Sequence, residues 1–308
     1  MRKILLSFFI PIVIFAFEAD NCAFGQEQKD ETKSQIKISQ IKNDKSKESM
    51  EKWLNAEFGL QPYRANYLLP IGYAKDDYTS NIPDTVYKNI EAELQVSLKL
   101  KVGSDLFGLD EKYYLSYTQQ AFWQVYIPSS PFRESIYNPE GFVIFPIRDN
   151  YSIFQLRSLK VALAHKSNGQ PNTSDVIFSN GQALGNLSKS INYYYMTLRL
   201  QHDTLLTDIT LLAPFPGSDN LSDNPDIMDY LGYSEVKFTY FINAHMFSGM
   251  VRGNIVTGKG AVELTYSHPH PLNDSTYWYV KFFSGYVESL IDYNKNVTKL
   301  SIGFSFSR

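Results

Sequence analysis

The segment "EAELQVSLKLKV", residues 91 to 102, decides the fold. Apolar side chains occupy every second position from Ala92 to Val102, and polar or charged side chains occupy the positions between them. Successive side chains of a β-strand point to opposite faces, whereas an amphipathic helix repeats about every 3.6 residues. The pattern therefore predicts a strand with one oily face and one charged face.

The same alternation recurs along the chain, between clusters of Gly, Pro, Asn and Asp that are typical of turns. It is clear in KLSIGFSF, residues 299–306, and weaker in EVKFTYFI, residues 235–242. About twelve such segments are found, which predicts an all-β protein. They lie near residues 64, 92, 114, 140, 155, 190, 206, 234, 246, 260, 277 and 298.

Aromatic residues gather at the ends of these segments. The chain has 22 Tyr and 21 Phe, with clusters in YYLSYTQQAFWQVY, residues 113–126, and STYWYVKFF, residues 275–283. Such clusters are typical of the aromatic girdles of outer-membrane barrels. Because a membrane strand with its share of loop takes roughly 20 residues, residues 63–308 suit an antiparallel transmembrane β-barrel of about twelve strands. A soluble β-sandwich, which also alternates, is the competing prediction.

The N-terminus has the features of an export signal. Two basic residues precede an apolar stretch and a small-x-small site, which predicts a signal peptide over residues 1–25. A lipoprotein site at Cys22 is the alternative, but Asn21 is too polar and large for it. Residues 26–62 are rich in Lys, Glu, Ser and Gln and predict a short flexible N-terminal arm.

Charge and hydropathy narrow the function classes. The net charge is -3, so there is no basic excess that would indicate nucleic-acid binding. Beyond the signal, no apolar run reaches the roughly 18 residues that a membrane-spanning helix needs. These features predict an exported protein that crosses the bacterial outer membrane with strands.

Polar residues follow the oily face of two consecutive strands. In SLKVALAHKS, residues 158–167, the apolar face formed by Leu163 and its alternate neighbours continues into His165 and Ser167. In SKSINYYYMTLRL, residues 188–200, Asn192 shares the face of the apolar residues that follow it. Because both polar ends adjoin the same loop, Asn192 is expected close to His165 on the outside of the barrel.

These three residues have a chemical use. The imidazole can take the serine proton while the amide fixes the ring tautomer, which suits acyl transfer. The substrate would be a molecule that lies against the barrel wall. The alternative is that these are wetted rim residues where the strands leave the membrane.

Residues 165–169 read His-Lys-Ser-Asn-Gly and resemble the His-x-Ser-Asn-Gly motif of the bacterial outer-membrane phospholipase A family. The resemblance implies a twelve-stranded barrel that catalyses calcium-dependent hydrolysis of acyl esters in phospholipids and lysophospholipids. It extends through SYTQQAFWQVY (116–126), SSPFRES (129–135), SINYYY (190–195), DNPDIMDYLGY (223–233), TGKGAVELTYSHP (257–269) and SGYVESLIDYN (284–294).

The resemblance also implies roles for individual residues. Ser167 matches the catalytic serine of the family, His165 its base and Asn192 the residue that orients the base. The backbone amide of Gly169 would meet the oxyanion. In this interpretation a neutral asparagine stands where most serine hydrolases have an aspartate.

A calcium site and a dimer are implied in the same way. The matching calcium ligands are Ser188, the backbone carbonyl of Gln170 and, from a second chain, Ser129; calcium accepts such oxygen ligands. The family has an arginine at the position of Gln170, but a carbonyl ligand survives that change. Gln119 matches the residue at the dimer interface of the family, with a side chain turned into the lumen as the alternative.

Two further motifs are set aside. GNIVTGKG, residues 253–260, nearly spells a phosphate loop, but Gly260 replaces the required Ser or Thr and a strand follows, so a hairpin turn is predicted. His268 and His270 have His-x-His spacing, yet flanking prolines and the lack of further ligands nearby favour a turn over a zinc site. A passive porin or adhesin remains the alternative function class.

Overall fold

The computed structural model describes residues 59–80, 85–148, 153–171, 177, 181, 185–217, 220–271 and 273–308. The predicted signal peptide, residues 1–25, and all but the end of the predicted arm lie outside the described residues. The described strands are β1 Leu60–Pro62, β2 Asn66–Ala74, β3 Ile90–Ser104, β4 Lys112–Trp123, β5 Phe132–Pro146, β6 Gln155–Ser167, β7 Ser190–His202, β8 Leu205–Pro214, β9 Ser234–Ile242, β10 His245–Asn254, β11 Lys259–His270, β12 Asn273–Gly285 and β13 Val297–Ser307, and the helix is α1 Ile227–Leu231.

One antiparallel sheet closes on itself. Within the described ranges, β2 to β13 each pair with their neighbours in chain order, and β13 pairs with β2. This twelve-stranded barrel confirms the predicted fold class, and each predicted segment corresponds to one strand. Closure satisfies the backbone groups that an open sheet would leave unpaired in lipid.

The short strand β1 ends the region predicted as a flexible arm. Leu60 pairs with Leu100 and Pro62 with Leu98 of β3. Strand β3 is longer than β2. The C-terminal part of β3 therefore extends past β2, and its free backbone N–H and C=O groups pair with β1. The last residues of the predicted arm are therefore ordered by this edge of β3.

The alternation seen in the sequence separates a lipid-facing surface from the interior. Leu163 on β6 is 58% exposed and Met196 on β7 is 48% exposed, whereas Ala162 and Tyr195, their sequence neighbours, are buried inside the barrel. Apolar side chains on the outside and polar ones inside are typical of outer-membrane barrels. In the described part of the chain, no helix is long and apolar enough to cross a membrane.

Buried ion pairs cross the interior. Arg133 contacts Glu91 at 2.9 Å and Asp292 at 3.0 Å, and Glu93 contacts Lys281 at 2.6 Å and Lys299 at 3.1 Å. Buried charges are tolerated when they are paired in this way. These contacts join β3 to the nearby strands β5, β12 and β13, and β5 to the β12–β13 connection, inside the barrel.

The two ends of the barrel differ. One end carries the connections β2–β3, β4–β5, β6–β7, β8–β9, β10–β11 and β12–β13, which include the four longest, and is called the long-loop end; the other is called the short-turn end. Helix α1 lies in the β8–β9 connection, where Ile227 and Met228 pack with Leu290 of the β12–β13 connection. In outer-membrane barrels, long loops are extracellular and short turns periplasmic.

Candidate active site

His165 and Asn192 lie directly opposite each other on β6 and β7, at the long-loop end. His165 Nδ1 and Asn192 Oδ1 are 2.8 Å apart. With the amide oxygen as acceptor, Nδ1 carries the hydrogen and Nε2 is left as a proton acceptor. Both residues share the outward face marked by the exposed Leu163 and Tyr194. The structure thus brings together two of the residues predicted for catalysis.

Ser167 follows His165 by two positions and shares its outward face. Its partner across the ladder is Ser190 of β7. Alternate residues on a strand stand about 7 Å apart at Cα, a separation that an imidazole and a hydroxyl can bridge. Within the described residues, the Ser167 hydroxyl makes no hydrogen bond to the imidazole. The structure places Ser167 beside the His165–Asn192 pair without joining it to the ring.

Side-chain amides add hydrogen bonds to the backbone around this pair. The β5–β6 register puts Pro139, which has no N–H, opposite His165, and Asn138 Nδ2 donates to the His165 carbonyl at 2.9 Å. On β7, the Asn192 N–H donates to Asn220 Oδ1 at 2.7 Å, and Asn220 Nδ2 donates to the Asn192 carbonyl at 2.9 Å. The backbones of both residues are therefore fixed.

A buried carboxylate holds the turn that follows Ser167. Asn168 is 2% exposed, and its Nδ2 donates to Glu134 Oε1 at 2.9 Å. Glu134 also accepts the backbone N–H groups of Leu290 and Ile291, both at 2.8 Å. The turn is thus tied to the β12–β13 connection, more than a hundred residues away in sequence.

Gly169 has a φ of +60°, in the left-handed region that favours glycine. A Cβ atom there would lie 2.9 Å from Cε2 of Tyr137. The chain therefore needs glycine at this position for both conformation and space. The backbone amide of Gly169 follows Ser167 by two residues, at the same rim as His165.

One of the predicted metal ligands, Ser188, contacts an acidic residue that sequence reasoning missed. Ser188 Oγ donates to Asp223 Oδ2 at 2.8 Å, and Asn186 Nδ2 donates to Asp223 Oδ1 at 2.7 Å. The N–H of Gln170 donates to Asn168 Oδ1 at 3.3 Å. Asp223 begins the DNPDIMDYLGY segment, and only the fold of the β8–β9 connection brings it to Ser188.

Lys189 lies next to these residues and binds two backbone carbonyls. Its Nζ donates to the carbonyls of Asn186 at 2.7 Å and Ser188 at 2.9 Å. Burial lowers the pKa of Lys189, and the negative charge of Asp223 opposes this shift. The Ser188 hydroxyl, the Gln170 carbonyl and the Asp223 carboxylate are oxygen donors of the kind that calcium prefers, so these residues fit the ion. Within the described ranges, no group of three His, Cys, Asp or Glu side chains forms a metal cluster.

Ser129 lies in an exposed loop turn, and Gln119 lies on the outer face of a strand. Ser129 is exposed in the β4–β5 turn at the long-loop end, with a φ of +63°. Gln119 shares its face of β4 with the exposed Leu115 and Tyr117, which argues against the alternative of a side chain in the lumen. In this chain's described residues, no side-chain hydrogen bond joins Ser129 to Ser188.

The sequence matches one protein family over most of its length. The model of a family described as phospholipase A1 matches residues 42–306. The chain is 33% identical over 272 residues to a putative phospholipase A1 of Neisseria meningitidis serogroup B, covering 82% of this chain and 67% of the relative. It is 30% identical over 256 residues to phospholipase A1 of Escherichia coli K12, covering 80% of this chain and 81% of the relative.

Solved structures show the same barrel. Outer membrane phospholipase A from Escherichia coli superposes with a TM-score of 0.71 at 30% identity, covering 81% of this chain and 99% of that chain. The calcium-bound dimer of the Salmonella typhi outer membrane phospholipase has a TM-score of 0.70 at 29% identity, covering 82% and 94%. An Escherichia coli variant with an active-site asparagine replaced by alanine has a TM-score of 0.71 at 29% identity, covering 82% and 93%.

Proposed function

The chain belongs to the outer-membrane phospholipase A family, and on that premise we propose that it is a calcium-dependent phospholipase of the bacterial outer membrane. It would hydrolyse the acyl esters of phospholipids and lysophospholipids at the outer surface of the barrel. The observation that carries the proposal is the 2.8 Å contact between His165 and Asn192 on lipid-facing strands, beside Ser167. A membrane lipid is the neighbour of this surface, so the substrate need not enter a pocket.

Ser167 is the nucleophile in this mechanism. Its Oγ attacks the ester carbonyl carbon while Nε2 of His165 takes the hydroxyl proton. The protonated ring then gives that proton to the leaving glycerol oxygen, which leaves an acyl group on Ser167. Water, deprotonated by His165, attacks the acyl ester, releases the fatty acid and restores the serine.

Asn192 orients the base. Its side-chain oxygen accepts the Nδ1 hydrogen of His165 and so leaves Nε2 as the nitrogen that takes the serine proton. A neutral amide stabilises the protonated ring less than a carboxylate would, so its main contribution is orientation. The active-site asparagine of the Escherichia coli relative supports this role.

Gly169 supplies the oxyanion donor. Backbone N–H groups that are already in place stabilise the charge that develops on the ester oxygen. The Glu134–Asn168 hydrogen bond holds the backbone next to Gly169 before substrate arrives. This arrangement avoids reorganisation of the turn during the reaction.

Ser188 Oγ and the carbonyl of Gln170 would hold calcium, together with Ser129 of a second copy of the chain. The Asp223 carboxylate, which accepts the hydrogen bond of Ser188 Oγ, adds negative charge beside Ser188 and supports this assignment. When bound, the ion would add positive charge near the oxyanion. The calcium-bound Salmonella typhi relative is consistent with this proposal.

In the proposed dimer, the interface between the two chains would lie next to the active site. Gln119 pairs with Tyr137 in the β4–β5 register, and Tyr137 pairs with Ser167 in the β5–β6 register. These residues therefore lie on one row of the outer face, with Gln119 two strands from Ser167. Neighbouring strands are about 4.8 Å apart, so a partner chain that covers Gln119 would also border the site. This row supports a homodimer as the active form; the Salmonella typhi relative is a dimer with bound calcium.

Fatty-acid release from phospholipid in detergent, with and without a calcium chelator, tests the function. Ser167→Ala should abolish turnover while the folded barrel keeps its heat-modifiable migration. Ser190→Ala, across the ladder from Ser167, is the matched control and should retain turnover. A passive porin would show no chelator-sensitive release at all, and full activity of Ser167→Ala would reject the mechanism.

A further inference from the structure

Histidines of two neighbouring strands meet at the short-turn end, far along the wall from the catalytic residues. The sequence prediction of a turn around His268 and His270 is wrong, because β11 extends through His270. Strand pairing with β10 adds His245, which is more than twenty residues away in sequence and was not part of the sequence motif. Met246 pairs with Ser267, so the next outward residues along the ladder, His245 and His268, face each other.

The two rings have the separation of neighbouring ligands on one metal ion. The ring centroids of His245 and His268 are 4.5 Å apart, with an angle of 40° between the planes. A metal–nitrogen bond of about 2.1 Å puts each ring centre about 3.2 Å from the ion. Two such rings at angles of about 90 to 110° have centres about 4.5 to 5.2 Å apart. The observed separation of the ring centres lies at the lower end of this range.

A hydroxyl orients one of these rings. Nδ1 of His245 is 2.9 Å from the hydroxyl of Tyr266, on the same outward face of β11. Metal-binding histidines usually use their second ring nitrogen in such a contact, which fixes the ring and its tautomer. Nε2 of His245 then remains as the metal ligand. Phe247 packs against Tyr266 with ring centroids 5.1 Å apart and limits the movement of the tyrosine.

We propose that His245 and His268 bind a divalent transition-metal ion, Zn²⁺ or Cu²⁺, on the outer surface of the barrel. Imidazole suits these ions, whereas calcium prefers oxygen ligands, so this site is chemically distinct from the calcium site. In the described part of the chain, no third His, Cys, Asp or Glu joins the pair. Water or lipid phosphate oxygens complete the coordination, as expected for an open site at the membrane interface.

His270 provides a matched control. It has the same parity as His268, but its ring stacks on Trp278 with centroids 5.2 Å apart. It also lies 6.1 Å from the ring of Phe304. The register shift between Pro269 and His270 separates it from the regular ladder. Loss of this imidazole should leave the His245–His268 pair intact.

The test is a titration of the tag-free protein in detergent, with calcium present, using Cu²⁺ and then Zn²⁺. One ion per chain is expected, and the Cu²⁺ electron paramagnetic resonance spectrum should show coupling to two nitrogens. His245→Ala and His268→Ala should each weaken binding at least about tenfold, and Tyr266→Phe about tenfold. His270→Ala should bind like the unmodified protein.

The readout separates this proposal from the phospholipase proposal, because it measures metal binding and not turnover. Heat-modifiable migration of each variant checks that the barrel has formed. Equal metal affinity in the unmodified protein and in His245→Ala or His268→Ala would overturn the proposal. Loss of binding in His270→Ala alone would also overturn it, since the ion would then lie elsewhere.

Discussion

Glu134→Gln should lower both the stability of the barrel and the catalytic rate, although Glu134 does not touch the substrate surface. The carboxylate accepts three N–H groups, one on Oε2 from Leu290 and two on Oε1 from Asn168 and Ile291. Glutamine offers one oxygen and one NH₂ group. In either orientation of the amide, at least one of these N–H groups must face a donor instead of an acceptor.

The loss of stability follows from the number of N–H groups that lose their acceptor in Glu134→Gln. A buried donor without an acceptor costs about 1 to 3 kcal/mol, and hydrogen bonds to a charged group are worth more than those to a neutral one. We therefore expect the free energy of unfolding to fall by about 2 to 4 kcal/mol. Asn168 keeps its other hydrogen bonds but loses its carboxylate partner, so it holds the backbone amide of Gly169 less firmly. Because removal of an oxyanion donor costs about 100- to 1,000-fold, partial misplacement should lower kcat about 10- to 100-fold.

Fatty-acid release over a range of substrate concentrations gives kcat and KM, and denaturant titration of the barrel gives the unfolding free energy. KM should change little, because Glu134 lies behind the turn. Glu140→Gln is the matched control: Glu140 is a buried carboxylate on the same strand that accepts from Arg64 at 2.5 Å and from Tyr63 at 3.2 Å. The Glu140→Gln variant should have a lower free energy of unfolding and an unchanged kcat. Unchanged kcat in Glu134→Gln, or an equal loss in both variants, would refute the reasoning.

Three further predictions concern the catalytic residues, the calcium site and the dimer interface. Asn192→Ala should lower kcat about 10- to 100-fold, because the ring loses its orienting acceptor, whereas Asn192→Asp keeps an oxygen there and should retain more activity in the same assay. Asp223→Asn and Ser188→Ala should raise the calcium concentration needed for half-maximal activity, measured by chelator-buffered titration, and an unchanged requirement would place the ion elsewhere. Gln119→Ala should weaken calcium-dependent cross-linking of the dimer; normal cross-linking would mean that the interface lies on another face.

Much of the fold could be predicted because the alternation of apolar and polar residues within one strand shows which of its faces meets lipid. The two-residue period of residues 91–102 marks an oily and a polar face without reference to the rest of the chain. The same parity placed His165 and Ser167 on the lipid side, and the structure has both residues there. Adjacency of consecutive strands also predicted that Asn192 would lie close to His165.

Contacts between distant segments could not be predicted in this way. Asp223 reaches Ser188 through the β8–β9 connection, and Glu134 reaches the backbone of Leu290 across more than a hundred residues. A short-range pattern of apolar and polar residues does not predict which loop folds over which strand. In the sequence, Glu134 could therefore not be distinguished from any other polar residue that faces the barrel interior.

The sequence by itself determined the strands, their two faces and the side on which the reactive residues lie, because side-chain alternation is a property of each strand alone. Only the tertiary structure decided which side chains face each other across the ladder, as His245 and His268 do, and which loops support the turn at Gly169. Register and loop packing arise from the closure of the whole barrel, which fixes every strand against two neighbours at once.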